Sequence, residues 1–241
     1  MDCTYIMGFW HIPENRKHDM AHYVRFIPKT LAMLRNKKIV FFYESDDILT
    51  FVTKHVQTPH FLSIKLAATD LPTYALSADL LTSCKKQDNA LLKARGDQKG
   101  LMHYRLEYLR SGEDSYRKVI SIWTSKVLMV DRICQDNPYG TEVFTWVDAS
   151  LSRIGMPTVD VICDLTRINT NPSAVLYMGE VINANASFMY ATRAIWRTFV
   201  PLYIQKLQDI KHSNYAHDEE TIMHLIYKDQ PQLFGHVRYP H

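Results

Sequence analysis

Residues Thr141 to Ser150 read Thr-Glu-Val-Phe-Thr-Trp-Val-Asp-Ala-Ser, an apolar, β-branched and aromatic run that ends in one carboxylate, Asp148, and two small residues. A buried parallel strand has this composition, and open α/β sheets place their ligands at the carboxyl ends of such strands. An aspartate there, with room left beside it by Ala149 and Ser150, can hold a divalent cation or a sugar hydroxyl. Two further groups have related chemistry. His217-Asp218-Glu219-Glu220 stands at a predicted helix start, and His236 stands in an aromatic tail. A hard cation such as Mn²⁺ or Mg²⁺ takes one or two carboxylates and completes its shell with phosphate oxygens and water, and Mn²⁺ accepts a histidine nitrogen. Such an ion neutralises a departing diphosphate while a separate carboxylate removes a proton from an incoming hydroxyl. One strand-end aspartate, one histidine and one separate acid therefore suffice for sugar transfer from a nucleotide donor.

Each of these residues also has a plainer use. Asp148 can cap a following helix or bind a backbone amide, and Asp218 fits an N-cap. The two roles of Asp218 are compatible, because a helix N-terminus keeps a carboxylate ionised. His236 fits a packed or surface histidine, and Lys126 fits the solvated face of a helix. Trp123, Trp146 and Trp196 fit a core as well as they fit a surface stacked on a base or sugar.

The elements that must position these groups follow from periodicity. Thr4 to His11 predicts a first strand, and the helical spacing of Tyr23, Phe26, Ile27, Leu31 and Leu34 predicts a helix from Met20 to Arg35. Ile39 to Tyr43 predicts a second buried strand. Its end carries Glu44, Ser45, Asp46 and Asp47, of which the last two are expected to cap a helix over Ile48 to His55. Phe61 to Ala67 predicts a third strand, so the order β-α-β-α-β opens the chain as in a Rossmann-like nucleotide-binding half. The stretch from Leu71 to Gly112 is polar and weakly periodic. Its Lys85, Lys86, Lys93, Arg95 and Lys99 suit a solvated surface or lid segment more than a phosphate site. Asp114 to Gln135 is the strongest helix, with Tyr116, Val119, Ile120, Trp123, Val127, Val130 and Ile133 on one face. Asn137-Pro138-Tyr139-Gly140 then turns the chain into a strand over Val143 to Val147. Later strands are expected near Thr158 to Cys163 and Ala174 to Met178. Val181 to Met189 leads into a helix over Arg193 to Gln208, and a last helix over Glu219 to Lys228 stops at Pro231. Leu233 to Tyr239 suits an edge strand.

Composition narrows the classes. At 241 residues, with 46% hydrophobic and 22% charged residues, the chain has the make-up of a globular protein with a sizeable core. The charge of +3, from 28 basic and 25 acidic residues, is too small to indicate a nucleic-acid partner. No run approaches the ~18 to 20 apolar residues of a membrane helix, so membrane contact would be peripheral. No secretory leader pattern is present, and the four dispersed cysteines suit reduced thiols; both point to the cytoplasm. Asn185-Ala186-Ser187 is accordingly read as a chance sequon. No Gly-x-x-x-x-Gly-Lys-Ser/Thr and no Gly-x-Gly-x-x-Gly segment occurs, and only eight glycines are present, which argues against P-loop phosphoryl transfer and dinucleotide-dependent redox chemistry.

Several short segments together resemble the bacterial HtrL/YibB-type family. They are Ile122-Trp123-Thr124-Ser125-Lys126, Asn137-Pro138-Tyr139, Phe144-Thr145-Trp146-Val147-Asp148-Ala149-Ser150, Val181-Ile182-Asn183-Ala184-Asn185-Ala186-Ser187-Phe188, Trp196, His217-Asp218-Glu219-Glu220 and Gln230-Pro231-Gln232-Leu233-Phe234. That family is similar to glycosyltransferases of the GT-A fold, many of which use a nucleotide-sugar and Mn²⁺, and several members sit among surface-polysaccharide genes. The resemblance implies a single α/β domain over 1–241 with a central mixed, mostly parallel sheet flanked by helices. Residues 1–150 would form the nucleotide-sugar half and 151–241 the acceptor half. It implies a nucleotide-sugar donor, a glycan or lipid-linked saccharide acceptor, and Mn²⁺ or Mg²⁺ as cofactor. Asp148 would take the first acidic position of an Asp-x-Asp motif, with Ser150 where the second aspartate would stand, so that the ion would rest on Asp148 and His236 or on a bound diphosphate. Lys126, Trp146, Asp148, Ser150 and Asp46 would contact the donor, and Asp218 or Glu219 would be the base. The same carboxylates would serve a nucleotide-sugar or sugar-phosphate hydrolase, and a non-catalytic nucleotide- or glycan-binding protein would keep the fold alone.

Overall fold

The computed structural model describes residues 2–15, 19–82, 107–154, 175–178, 185–211 and 218–237. Within them the alternating apolar runs build one seven-stranded sheet: β1 (Cys3–Phe9), β2 (Lys38–Tyr43), β3 (Phe61–Lys65), β4 (Val143–Val147), β5 (Val175–Met178), β6 (Asn185–Thr192) and β7 (Phe234–Val237). The spatial order is β3-β2-β1-β4-β6-β5-β7. β1, β2, β3 and β4 run parallel, β6 runs antiparallel to both β4 and β5, and β7 pairs in parallel with β5. This is the mixed, mostly parallel sheet that the sequence predicts. The strand expected near Thr158 to Cys163, the basic segment from Lys85 to Lys99, and His217 lie outside the described residues.

The period of two in each strand divides the core between two faces. Tyr5, Met7 and Phe9 of β1, with Ile39, Phe41 and Tyr43 of β2 and Val143 and Val147 of β4, pack on Ile27 and Leu31 of α1 (Met20–Met33) and Ile48 and Val52 of α2 (Asp46–Thr53). Ile6, Val40, Phe42, Phe144 and Trp146 point the other way. They meet α4 (Glu113–Asp136), α5 (Arg193–Ile210) and α6 (Glu219–Asp229), with α3 (Tyr74–Leu80) packed beside α4.

Local chemistry sets where the helices begin and end. Ser45, not Asp46 or Asp47, caps α2, its Oγ accepting the Ile48 N–H, while the two aspartates fall in the first helical turn. Either arrangement puts negative charge at the positive end of the helix, which is why the sequence alone does not choose between them. Asn137 ends α4 in the left-handed region at φ 40°, and its side chain holds both the N–H and the C=O of Thr141, which aims the chain into β4. Between α3 and α4 a buried hydroxyl cluster forms, with Thr73 Oγ1 2.7 Å from Thr124 Oγ1 and 2.8 Å from Ser125 Oγ. Tyr203 of α5 donates to the Thr124 carbonyl and ties a third helix to the same seam.

Candidate functional site

The chain leaves β1 toward β2 and β3 on one side, whereas β4 lies on the other side of β1. The carboxyl ends of β1 and β4 therefore flank a topological switch point, where open α/β sheets have a crevice. A cavity of about 190 Å³ opens there. Gly8, Phe9, Trp10, His11 and Ile12 contribute from the end of β1, and Asp148, Ala149, Ser150 and Arg153 from beyond β4. Tyr23 of α1 and Val119, Ile122, Trp123 and Lys126 of α4 complete the wall with Trp146. The four α4 residues follow the i, i+3, i+4, i+7 spacing of one helical stripe, so a single face of α4 serves the cavity. Gly8 is required by space. A Cβ there would lie 2.4 Å from the Trp10 indole, whose Nε1 donates to the Leu66 carbonyl.

Two carboxylates, one in the cavity wall and one behind it, share a single ammonium. Lys126 Nζ lies 2.9 Å from Asp148 Oδ1 and 2.6 Å from Glu219 Oε1. The Lys126, Asp148 and Glu219 side chains are 7%, 19% and 6% exposed. Trp146 Nε1 donates to the same Asp148 oxygen at 2.8 Å, and the ammonium lies 5.9 Å from the Trp146 ring centre. Burial by itself would lower the Lys126 pKa, but the two carboxylates outweigh it and raise it, so the side chain stays cationic. Burial pushes Asp148 up, but Lys126, the Trp146 N–H and Arg153 bring it below its usual value. For Glu219 burial wins, and the pKa is raised despite the ion pair. Glu220 is raised to about 8 by burial and by its neighbours Glu219 and Asp218, while its Oε1 accepts the Ala186 N–H at 3.0 Å.

The residues selected from sequence have different fates. Lys126, Trp146, Asp148 and Ser150 are brought together in the cavity wall. Glu219 joins them only through Lys126 and, like Asp218, is not a lining residue. Asp218 Oδ1 caps α6, accepting the Thr221 N–H at 2.8 Å and the Thr221 hydroxyl at 2.7 Å. Asp46 stands outside the cavity, exposed, with Lys65 Nζ 2.9 Å from its Oδ1. The backbone of His236 lies on β7, three strands from β4 in the sheet order, about 14 Å at the usual strand spacing. Sequence reasoning missed Arg153, Tyr23 and Trp10. Arg153 Nη2 donates to Ser187 Oγ at 3.2 Å and lies 4.0 Å from Asp148 Oδ2. It is held there because Ser152 bonds back to α1 through Phe26 O and Thr30 Oγ1.

The described residues around Asp148 do not fit the Mn²⁺ or Mg²⁺ expected from the sequence. Among the described residues no group of three or more histidine, cysteine or acidic side chains could hold a metal ion. One Asp148 oxygen is already taken by an ammonium and an indole N–H, and a guanidinium stands beside the other. A hard cation seeks oxygen ligands and is repelled by both positive groups.

No protein family and no curated protein matches this chain. Solved structures do resemble it. Mouse xyloside xylosyltransferase 1, in its apo form, aligns with a TM-score of 0.52 at 12% identity, over 98% of this chain and 85% of that one. Core-mannan synthase A from Aspergillus fumigatus, in an Mn/GDP form, gives 0.48 at 10% identity over 98% and 72%. A glycosyltransferase involved in glycosylation of the major capsid of PBCV-1 gives 0.38 at 8% identity over 98% and 82%. The fold is GT-A-like, as expected from the sequence.

Proposed function

We propose that this protein transfers a sugar from a nucleoside-diphosphate-sugar to a hydroxyl of a glycan or lipid-linked saccharide. The observation that carries this reading is the Lys126 ammonium, buried between Asp148 and Glu219 at the floor of the β1–β4 switch-point cavity. A fixed cation in a water-poor site stabilises the charge that builds on a departing diphosphate far better than one in open solvent. The aromatic walls, Trp10, Tyr23, Trp123 and Trp146, suit the flat faces of a base or sugar. The GT-A-like sheet supports the same reading, as do the motifs that resemble the HtrL/YibB-type family, with its place in surface-polysaccharide synthesis. Lining residues 8 to 153 come almost wholly from residues 1–150, the half assigned to the donor, which leaves 151–241 for the acceptor.

In this reading the acceptor oxygen bonds to the anomeric carbon, the bond from that carbon to the diphosphate oxygen breaks, and its electron pair leaves with the diphosphate. Glu219 does not line the cavity, so as the proposed base it would take the acceptor proton through Lys126, which lines the cavity and lies 2.6 Å from Glu219 Oε1. Asp218 positions Glu219 by capping the helix that carries it. Asp148 orients Lys126. Asp148→Asn should lower transfer from a nucleotide-sugar by roughly a hundredfold or more, with the native circular dichroism spectrum retained at the assay temperature. Normal turnover by that variant would sink the assignment. Free sugar released equally with and without acceptor would replace transfer by hydrolysis.

A further inference from the structure

We propose that Arg153 neutralises the donor diphosphate in this cavity, in the place where a divalent ion was expected. The inference rests on the reading of the cavity as the donor site and adds the ligand-binding group to it.

The other charged groups at the floor are already engaged. Asp148 Oδ1 accepts from Lys126 at 2.9 Å and from Trp146 at 2.8 Å. The Lys126 ammonium is already shared between two carboxylates and is 7% exposed, so it acts on a ligand in the cavity through its field more than through free donors. Arg153 differs on each count. Its side chain is 35% exposed and lines the cavity. Among the described residues it engages through Nη2 alone, with Ser187 at 3.2 Å and Asp148 at a loose 4.0 Å. Nε and Nη1 are left as donors. A planar guanidinium with two donors open is suited to bidentate contact with phosphate oxygens.

Charge points the same way. Asp148 and Glu219 balance Lys126 and Arg153, so the four groups together carry no net charge. A second carboxylate at position 150 would have made the site anionic and able to draw in Mn²⁺, but Ser150 is there instead. With the buried charges balanced, the charged group most exposed to the cavity is the Arg153 guanidinium, which attracts a diphosphate and repels a divalent cation. As the sugar–diphosphate bond breaks and its electron pair moves to the phosphate oxygen, the guanidinium meets that charge, and no proton or further ion is needed for balance.

The test is titration calorimetry of the full chain with uridine and guanosine diphosphates, once in EDTA and once with Mn²⁺. The expected result is binding of one nucleoside diphosphate in EDTA, with an affinity that Mn²⁺ leaves within about twofold. Arg153→Gln should weaken that binding by roughly ten- to a hundredfold, as expected for the loss of a charge-assisted contact. Arg153→Lys should recover part of it. Because the Arg153 side chain is 35% exposed and makes a single side-chain hydrogen bond among the described residues, Arg153→Gln should keep the wild-type unfolding midpoint, which separates lost binding from lost structure. Binding that requires Mn²⁺, or Arg153→Gln binding as tightly as wild type, would overturn the inference while leaving the donor site standing. Failure of both diphosphates to bind in either buffer overturns the donor-site reading, and this inference with it.

Discussion

The two strands that flank β1 end in the same device with different surroundings. Beyond β2, Lys65 Nζ lies 2.9 Å from Asp46 Oδ1, and beyond β4, Lys126 Nζ lies 2.9 Å from Asp148 Oδ1. The side chains of the first pair are 56% and 76% exposed, and those of the second are 7% and 19% exposed. Water screens the first pair, so it contributes little to either state. The second pair has lost its water, so each charge depends on the other and on Glu219. Equal distances thus conceal unequal consequences. Burial decides which strand-end acid forms a pair that water does not screen.

Lys126→Met against Lys65→Met is the sharpest way to break this comparison. Lys126→Met leaves two buried carboxylates without their cation, which costs about 3–5 kcal/mol. For a chain of this size that lowers the unfolding midpoint by roughly 10 °C. Lys65→Met should leave the midpoint unchanged within error. Thermal unfolding of both variants at neutral pH decides the matter, and shifts of equal size would show that burial does not separate the two sites.

The second prediction sharpens the comparison through pH. Glu220 has a folded-state pKa of about 8, above the ordinary value of 4.5, so its contribution to stability is fully present below about 4.5 and is lost as pH rises through 8. Asp148 acts oppositely: its lowered pKa contributes stability above 3.8 that disappears only in stronger acid. Wild-type stability should therefore decline from pH 5 to pH 8.5. Glu220→Gln, which keeps an oxygen acceptor for the Ala186 N–H, should remove most of that decline and raise the midpoint at pH 8.5 by several degrees. An unchanged pH profile in Glu220→Gln would show that the burial of the α6 first turn has been misjudged.

How much of this was legible in the sequence follows from which forces are local. Periodicity placed α1, α4 and the first four strands within a few residues, because each buries one face and the spacing of its apolar side chains records that face. Asp148 is marked by its place at the end of the most apolar strand, whereas Lys126 and Trp146 are marked as site residues only by the segments that carry the family resemblance. Their joining with Glu219 was invisible, since it depends on α6 packing against α4 and β6, beside β4 in the middle of the sheet. Arg153 carried no motif, and its place in the cavity comes from the Ser152 clasp to α1. Asp46 had the same strand-end signal as Asp148, and nothing local shows that one end faces solvent. β6 was hidden for another reason: Val181 to Met189 reads as an apolar run, but its register over Asn185–Thr192 comes from antiparallel pairing with β4.

The smallest effect concerns the helix starts near each acid. Asp218 caps α6 with two short contacts from Thr221, at 2.8 and 2.7 Å, and is itself buried. Ser45 caps α2 with one contact of 3.4 Å. Asp218→Ala should cost about 1 kcal/mol, or roughly 2–4 °C at the midpoint, and Ser45→Ala should cost less. Only the first has a second consequence. Asp218 is one of the charges that hold the Glu220 pKa up, so removing it should lower that pKa and flatten the decline in stability between pH 5 and pH 8.5. Ser45→Ala should leave the pH profile unchanged. If both variants shift the midpoint alike and neither alters the pH profile, Asp218 is a cap like any other, and α6 begins without electrical coupling to the cavity.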